Sequence, residues 1–165
     1  MFREMRRKKQ RLSDAEAKKI LETGSSGVLA LSGDDDYPYA VPLSYAYLNG
    51  NIYFHCAGTG HKIDAVKKHN RASFCVIGAD NVVPEEYTTY YRSVIAFGKI
   101  RIAEDEAEKR EAITAIALKY NPDDSGEHRE TAVNREWKAL CILALDVEHL
   151  TGKEAIELVK QRSLT

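Results

Sequence analysis

"VPLSYAYLNGNIYFHCAGTGHKIDAV", residues 41–66, carries the reading of the fold. Two apolar and aromatic runs flank Asn49-Gly50. Asn-Gly is the strongest short hairpin signal, because a type I′ turn needs positive φ at both central positions. A two-residue loop sets the register: Leu48 opposite Asn51, Ala46 opposite Tyr53, Ser44 opposite His55 and Pro42 opposite Ala57. Opposed residues share a side of the sheet. One side then holds Val41, Leu43, Tyr45, Tyr47, Ile52, Phe54 and Cys56, bulky and apolar, a face for a core. The other side, around Pro42, Ser44, His55 and Ala57, is small and partly polar, a floor suited to a flat ligand.

The second run ends in Gly58 and Gly60 and passes into a helical pattern near His61. Glycines there permit positive φ and close backbone approach, and a helix start offers free N–H groups and partial positive charge. Lys62 adds a full charge and His61 a donor, so a phosphate monoester is the expected guest, with a plain turn-and-cap the competing reading. Neither a Walker loop nor GxGxxG is present. His55 and His61, six apart across a turn, match no common zinc spacing. The register points Cys56 at the core, which argues against a nucleophile.

Outward from this stretch, the chain reads as α+β. Residues 1–11 form a basic arm without an apolar segment behind it, unlike a secretory signal, and are expected to be mobile. Ser13 and Glu16 make a capping box for a helix that stops before Gly24. Strands are expected at "GVLALS", "YPYAVPLSYAYL", "NIYFHCA", "RASFCVIG", "YRSVIAFGKIRIA" and "ALCILALDVEHL", with Gly98 marking a bulge and "VVPEEYTTY" a loop. A helix over "EDEAEKREAITAIALKY" presents Ala112, Ile113, Ile116, Ala117 and Tyr120 at helical spacing and ends at Asn121-Pro122. A short helix is expected near 131–138 and a last one from Thr151-Gly152 through "KEAIELVKQ". His128 and His149 read as surface residues and Trp137 as core, the alternative being a wall of a substrate pocket.

The 165 residues suit one domain, 1–165, able to bury a core. A net charge of −1 gives no general pull toward nucleic acid, and no apolar run approaches a membrane span. Cys56, Cys75 and Cys141 lie in apolar context with no CxxC pair, as expected of reduced thiols in a cytoplasmic protein.

"MRRKKQRLSDAEAKKIL", residues 41–66, "YRSVIAFGKIRIAEDEAEKREA" and "LTGKEA", in that order, resemble the FMN-binding split barrel of the pyridoxamine 5′-phosphate oxidase-related proteins, nearest to the nitroimidazole-resistance branch. The resemblance implies a six-stranded antiparallel split β-barrel with flanking helices, a homodimer with FMN at the interface. It sets Val41, Pro42, Leu43 and Ser44 along the isoalloxazine edge, and His55, Cys56 and Ala57 against the cofactor. It makes His61 and Lys62 phosphate ligands and brings Tyr91, Arg92 and Ser93 to the same pocket, with Lys153 either near the partner's site or at a helix start. The arginine-rich C-terminal segment of true pyridoxamine phosphate oxidases is missing, which argues against vitamin B6 oxidation. His55 is the implied proton donor beside the flavin, the alternative being a strand histidine paired with Ser44. The implied activity is an FMN-dependent oxidoreductase taking electrons from a reduced nicotinamide to a small acceptor such as a nitro-aromatic. The alternative is a storage or sensing module that binds flavin or haem without turnover. Deazaflavin in place of FMN is a further option.

Overall fold

The computed structural model describes residues 2–163. In chain order the elements are α1 (Asp14–Thr23), β1 (Gly27–Ser32), β2 (Pro38–Leu43), β3 (Ala46–Leu48), β4 (Asn51–Ala57), α2 (His61–Lys68), β5 (Arg71–Val83), β6 (Thr88–Ile102), α3 (Glu106–Tyr120), α4 (Gly126–Glu136), β7 (Leu140–Glu154) and α5 (Ile156–Arg162). The strands make one antiparallel sheet ordered β2-β1-β5-β6-β7-β4-β3. No helix among the described residues is long and apolar enough to cross a membrane.

The edge strands β2 and β3 are joined by only Ser44 and Tyr45. Three virtual bonds reach at most about 11 Å. The two ends of a seven-stranded sheet therefore meet, and the sheet curls into a barrel left open between its edge strands β2 and β3. Tyr45 fixes the crossing. Its ring is buried, its hydroxyl donates to the Leu21 carbonyl at 2.7 Å, and its backbone N–H donates to the Tyr120 hydroxyl at 3.0 Å. Burial pushes its phenol well above the usual range.

This crossing corrects two expectations. The sheet has seven strands, not six, because "YPYAVPLSYAYL" breaks into β2 and β3. The hairpin register holds for Leu48–Asn51 and Ala46–Tyr53, and Asn49 and Gly50 both have positive φ. It does not extend to Ser44–His55 or Pro42–Ala57: β2 pairs with β1 instead, Pro42 opposite Val28, while His55 lies opposite Ile142 of β7. Pro42, which has no N–H to donate, sits on an edge strand, where proline is tolerated.

Side chains alternate between the two faces of each strand. Leu29, Leu31, Ile52, Phe54, Phe74, Val76, Val94, Leu143 and Leu145 fill the barrel with Ala17 and Leu21 of α1 and Ile63 and Val66 of α2. A second cluster sits outside: Ala46, Tyr53, Ile142 and Ala144 lie under Ala112 and Ile116 of α3. The capping box forms as expected, the Ser13 N–H donating to Glu16 at 2.8 Å and the Glu16 N–H to the Ser13 hydroxyl at 3.3 Å. The bulge falls between Phe97 and Gly98, where a Cβ would run into the Asp146 carbonyl oxygen.

Five further expectations give way. Residues 82–83 and 88–90 belong to the β5–β6 ladder, so the "VVPEEYTTY" loop shrinks to a 3-10 turn at Pro84–Glu86 and Tyr87. Residues 151–154 continue β7, and the last helix begins at Ile156. The short helix starts at Gly126, because Ser125 caps it through the His128 N–H. The basic arm is tied down: Phe2 stacks on His149 at 4.6 Å, a 3-10 turn spans Lys8–Gln10, and Gln10 is buried. His149 is thus a packing residue within β7.

Candidate functional site

The Gly58–Gly60 turn delivers β4 into α2. Gly60 has φ +114°, a conformation that glycine accommodates, and a Cβ at Gly58 or Gly60 would meet no heavy atom within 4 Å. No side chain caps α2. Its first turn therefore offers N–H groups and partial positive charge to open space, with Lys62 beside it. The His61 ring stacks on Tyr39 of β2 at 4.1 Å, which ties the helix start to the barrel's open edge. Asp34 is also there, 3.6 Å from His61 Nε2 and 2.8 Å from Lys68 Nζ. Its hydrogen bond to Lys68, then the charges of Lys68 and His61, hold its carboxyl below the usual range.

His55, Cys56 and Ala57 end β4. Alternation turns Cys56 inward with Phe54, opposite Cys141, and burial pushes its thiol up to about 11, an environment that disfavours the thiolate. His55 turns outward, on the side of Tyr53, and is exposed. Ser44 and His55 are not ladder partners, yet both line one cavity of about 400 Å³ with residues of α3 and α4. Val41, Pro42 and Leu43 run along edge strand β2 opposite Leu29, Val28 and Gly27. The barrel's closure thus brings Ser44 to the same cavity as His55 and sets His61 against Tyr39 of β2.

Tyr91, Arg92 and Ser93 lie on β6. Arg92 turns to the wholly buried carboxylate of Glu154, its Nε donating to Oε2 at 3.2 Å. Arg162 donates to the other oxygen of that carboxylate, and buried Gln10 donates its amide to the Glu154 carbonyl at 2.8 Å. Lys153 is a strand residue opposite Ser93, its ammonium 5.5 Å from the Tyr91 ring. Trp137 is half-buried beside two cations, Lys109 Nζ at 4.3 Å and the Arg110 guanidinium at 4.1 Å.

The outer face of the sheet is largely apolar. Across neighbouring strands run Pro42, Val28, Cys75 and Ile95, then Ala40, Ala30, Ser73 and Phe97. Ile77, 64% exposed, sits opposite Ser93. Sequence reasoning missed Asp34, Tyr39 and Glu154 as neighbours of the implied site residues. Each comes from a distant segment, and only the strand order reveals the contact.

A family model described as pyridoxamine 5′-phosphate oxidase matches residues 13–154. No curated protein matches the chain. Among solved structures, a conserved hypothetical protein from Mycobacterium tuberculosis superposes with a TM-score of 0.79 at 18% identity, covering 92% of this chain and 90% of that one. A candidate 5-nitroimidazole antibiotic resistance protein from Bacteroides thetaiotaomicron gives 0.74 at 21% identity, over 87% and 86%. An FAD and haem binding protein from Mycobacterium smegmatis gives 0.73 at 22%, over 89% and 73%.

Proposed function

The chain belongs to the pyridoxamine 5′-phosphate oxidase family, and on that premise we propose that it is a cytoplasmic FMN-dependent oxidoreductase, one domain per chain, working as a homodimer. It takes electrons from a reduced nicotinamide and delivers them to a small acceptor, nitro-aromatics among the candidates. The observation that carries the reading is the uncapped start of α2, with Gly58 and Gly60 facing open space and Lys62 alongside, at the open edge of the barrel. That donor set fits a flavin phosphate: N–H groups, a lysine and no Cβ in the way. Asp34 beside His61 works against it, so Lys62 and the backbone carry more of the load than His61 does.

The flavin, when bound, supplies the hydride and electron transfer. The chain's own part is to hold and orient. Lys62 and the first turn of α2 hold the phosphate; Val41, Pro42, Leu43 and Ser44 border the ring; Cys56 and Ala57 approach through backbone. His55, outward and exposed, keeps a ring-nitrogen proton for the reduced acceptor. The outer sheet face, with Ile77 and Val28 exposed, supports a second copy packed there, with Tyr91, Ser93 and Lys153 at that interface. Arg92 serves Glu154 first, so it stands as a support rather than a ligand. Cys56 and Cys141 are cross-strand neighbours and both free, which supports a reducing compartment.

The absorption spectrum of the purified protein tests the cofactor. Paired near-ultraviolet and blue bands are expected; a Soret band instead would favour a haem-binding module, and mass spectrometry of the released cofactor separates FMN from FAD or deazaflavin. Anaerobic bleaching by a reduced nicotinamide, then re-oxidation by an added acceptor, tests turnover. His55→Ala is expected to keep the flavin and slow re-oxidation.

A further inference from the structure

We propose that the cavity between the 44–45 crossing, β4, α3 and α4 binds a small planar carboxylate, gripped by Arg129. The cavity, about 400 Å³, has walls of Ile116, Ala117, Ala132 and Val133. An apolar cavity of about 150 Å³ already holds benzene, so one aromatic ring with a polar group fits with room to spare. The polar groups that line it are unusual. Arg129 Nε is buried and has no hydrogen-bond partner, and Nη1 reaches only the Asp124 carbonyl oxygen at 3.5 Å. Among the described residues Arg129 forms no ion pair. A buried donor on a charged group that lacks an acceptor is costly; Nε is closed to solvent as it stands, and the guanidinium fork, held by one long contact, meets a planar carboxylate by turning into the cavity.

The one carboxylate in the lining is already engaged. Asp124 accepts from His128 Nδ1 at 2.7 Å. The Asp124 carboxylate makes its hydrogen bond with His128, and Arg129 meets Asp124 only through the backbone carbonyl. His55 lines the same cavity, as does Ser44. An acid whose carboxylate meets Arg129 lies with its apolar body among the α3 and α4 side chains and shares the cavity with His55. The inference adds a substrate class to the flavin reading. It rests on that reading for the chemical role of His55, while the binding itself stands apart from it.

The probes are benzoate and nitrobenzene, two flat molecules of similar shape of which only one is charged, titrated into the purified full chain with whatever cofactor it carries. Saturation-transfer NMR reads binding, and the ring protons of His55 and His128 report its place. Benzoate is expected to bind at least about tenfold more tightly than nitrobenzene and to shift both histidines. Arg129→Met is expected to remove that preference and leave nitrobenzene unchanged. Arg129→Lys keeps the charge but loses the Nε donor, is expected to lose most of the preference, and carries the test if the methionine variant does not fold. Ala132→Phe is expected to block both probes. Equal binding of the two probes, benzoate affinity unchanged in both Arg129 variants, or histidine signals that stay still would overturn the proposal. So would an Arg129→Met variant that weakens subunit association but not benzoate binding, since a partner carboxylate would then be the acceptor. The spectrum of the same samples keeps the two ideas apart. A chain without flavin that still discriminates benzoate sinks the flavin reading alone; a flavin-loaded chain that does not discriminate sinks this one alone.

Discussion

Glu154 and the start of α2 are two charged regions with opposite accounts. At Glu154 every partner is inside the chain: the carboxylate is wholly buried, Arg92 and Arg162 neutralise it, and Gln10 bonds its backbone. At α2 the partners are missing: no side chain caps the helix, two glycines face open space, and Lys62 stands by. The first arrangement joins four distant segments, the N-terminal arm, β6, β7 and α5, and its business is the fold. The second leaves the first-turn N–H groups of α2 without a side-chain cap. Both contain residues that the family resemblance ties to one pocket; Arg92 hydrogen-bonds into the first, and Lys62 stands in the first turn of the second.

The largest expected effect breaks the closed side. Glu154→Gln leaves Arg92 and Arg162 facing a neutral amide, so unfolding free energy should fall by about 3 kcal/mol. Denaturant titration reads it, and flavin affinity per folded molecule should hold. A loss of flavin without a loss of stability would merge the two regions. The next breaks the open side. Lys62→Ala is expected to weaken FMN retention roughly tenfold, about 1.4 kcal/mol, while the denaturation midpoint moves little. Unchanged FMN affinity would sink the phosphate assignment.

Lys119 is a third case, a buried cation without a hydrogen-bond acceptor, 3.6 Å above the Tyr45 ring. Burial lowers its ammonium from 10.5 to about 8. The unfolded chain then holds the proton more tightly than the folded one, so this group makes stability rise as pH climbs from about 8 to about 10.5. Below about 8 the folded state carries the buried charge in full. Lys119→Met should therefore stabilise the protein at pH 7, by about 1 kcal/mol after allowing for its partial exposure and the ring contact, and the advantage should fade above about pH 8 and vanish above about pH 10.5. An advantage that is constant with pH would mean that packing, not charge, sets the difference.

Local patterns in the sequence carried much of this. Asn49-Gly50, the Ser13–Glu16 box, the Gly98 bulge and α3 all stand where their residues place them, because each depends on chemistry within a few positions. The core face of 41–56 was legible for the same reason. What failed was reach. A hairpin register extrapolates only while the strand stays paired, and Tyr45 ends the pairing by bonding to Leu21 and Tyr120, in segments 24 and 75 positions away. Even so, Ser44 and His55 remain neighbours, around a cavity rather than across a ladder. Glu154 reads in sequence as part of a helix start, "TGKE", and nothing local says that Gln10 and Arg162 will close on it.

The smallest expected effect sharpens the open side. Asp34 lies in the turn between β1 and β2 and holds a carboxylate 3.6 Å from His61 Nε2, where the phosphate is expected. Its hydrogen bond to Lys68 keeps it ionised, so it opposes an incoming anion at working pH. Both partners are largely exposed, and water and salt screen the repulsion. Asp34→Asn removes the charge and keeps an acceptor for Lys68, so FMN should bind about two- to threefold more tightly at low salt, with the gain fading as ionic strength rises. Fluorescence titration of the apoprotein at two salt concentrations reads both numbers. A weaker FMN complex in Asp34→Asn would mean that the carboxylate orients His61 toward the phosphate more than it repels it, and His61 would regain the rank of a direct ligand beside Lys62.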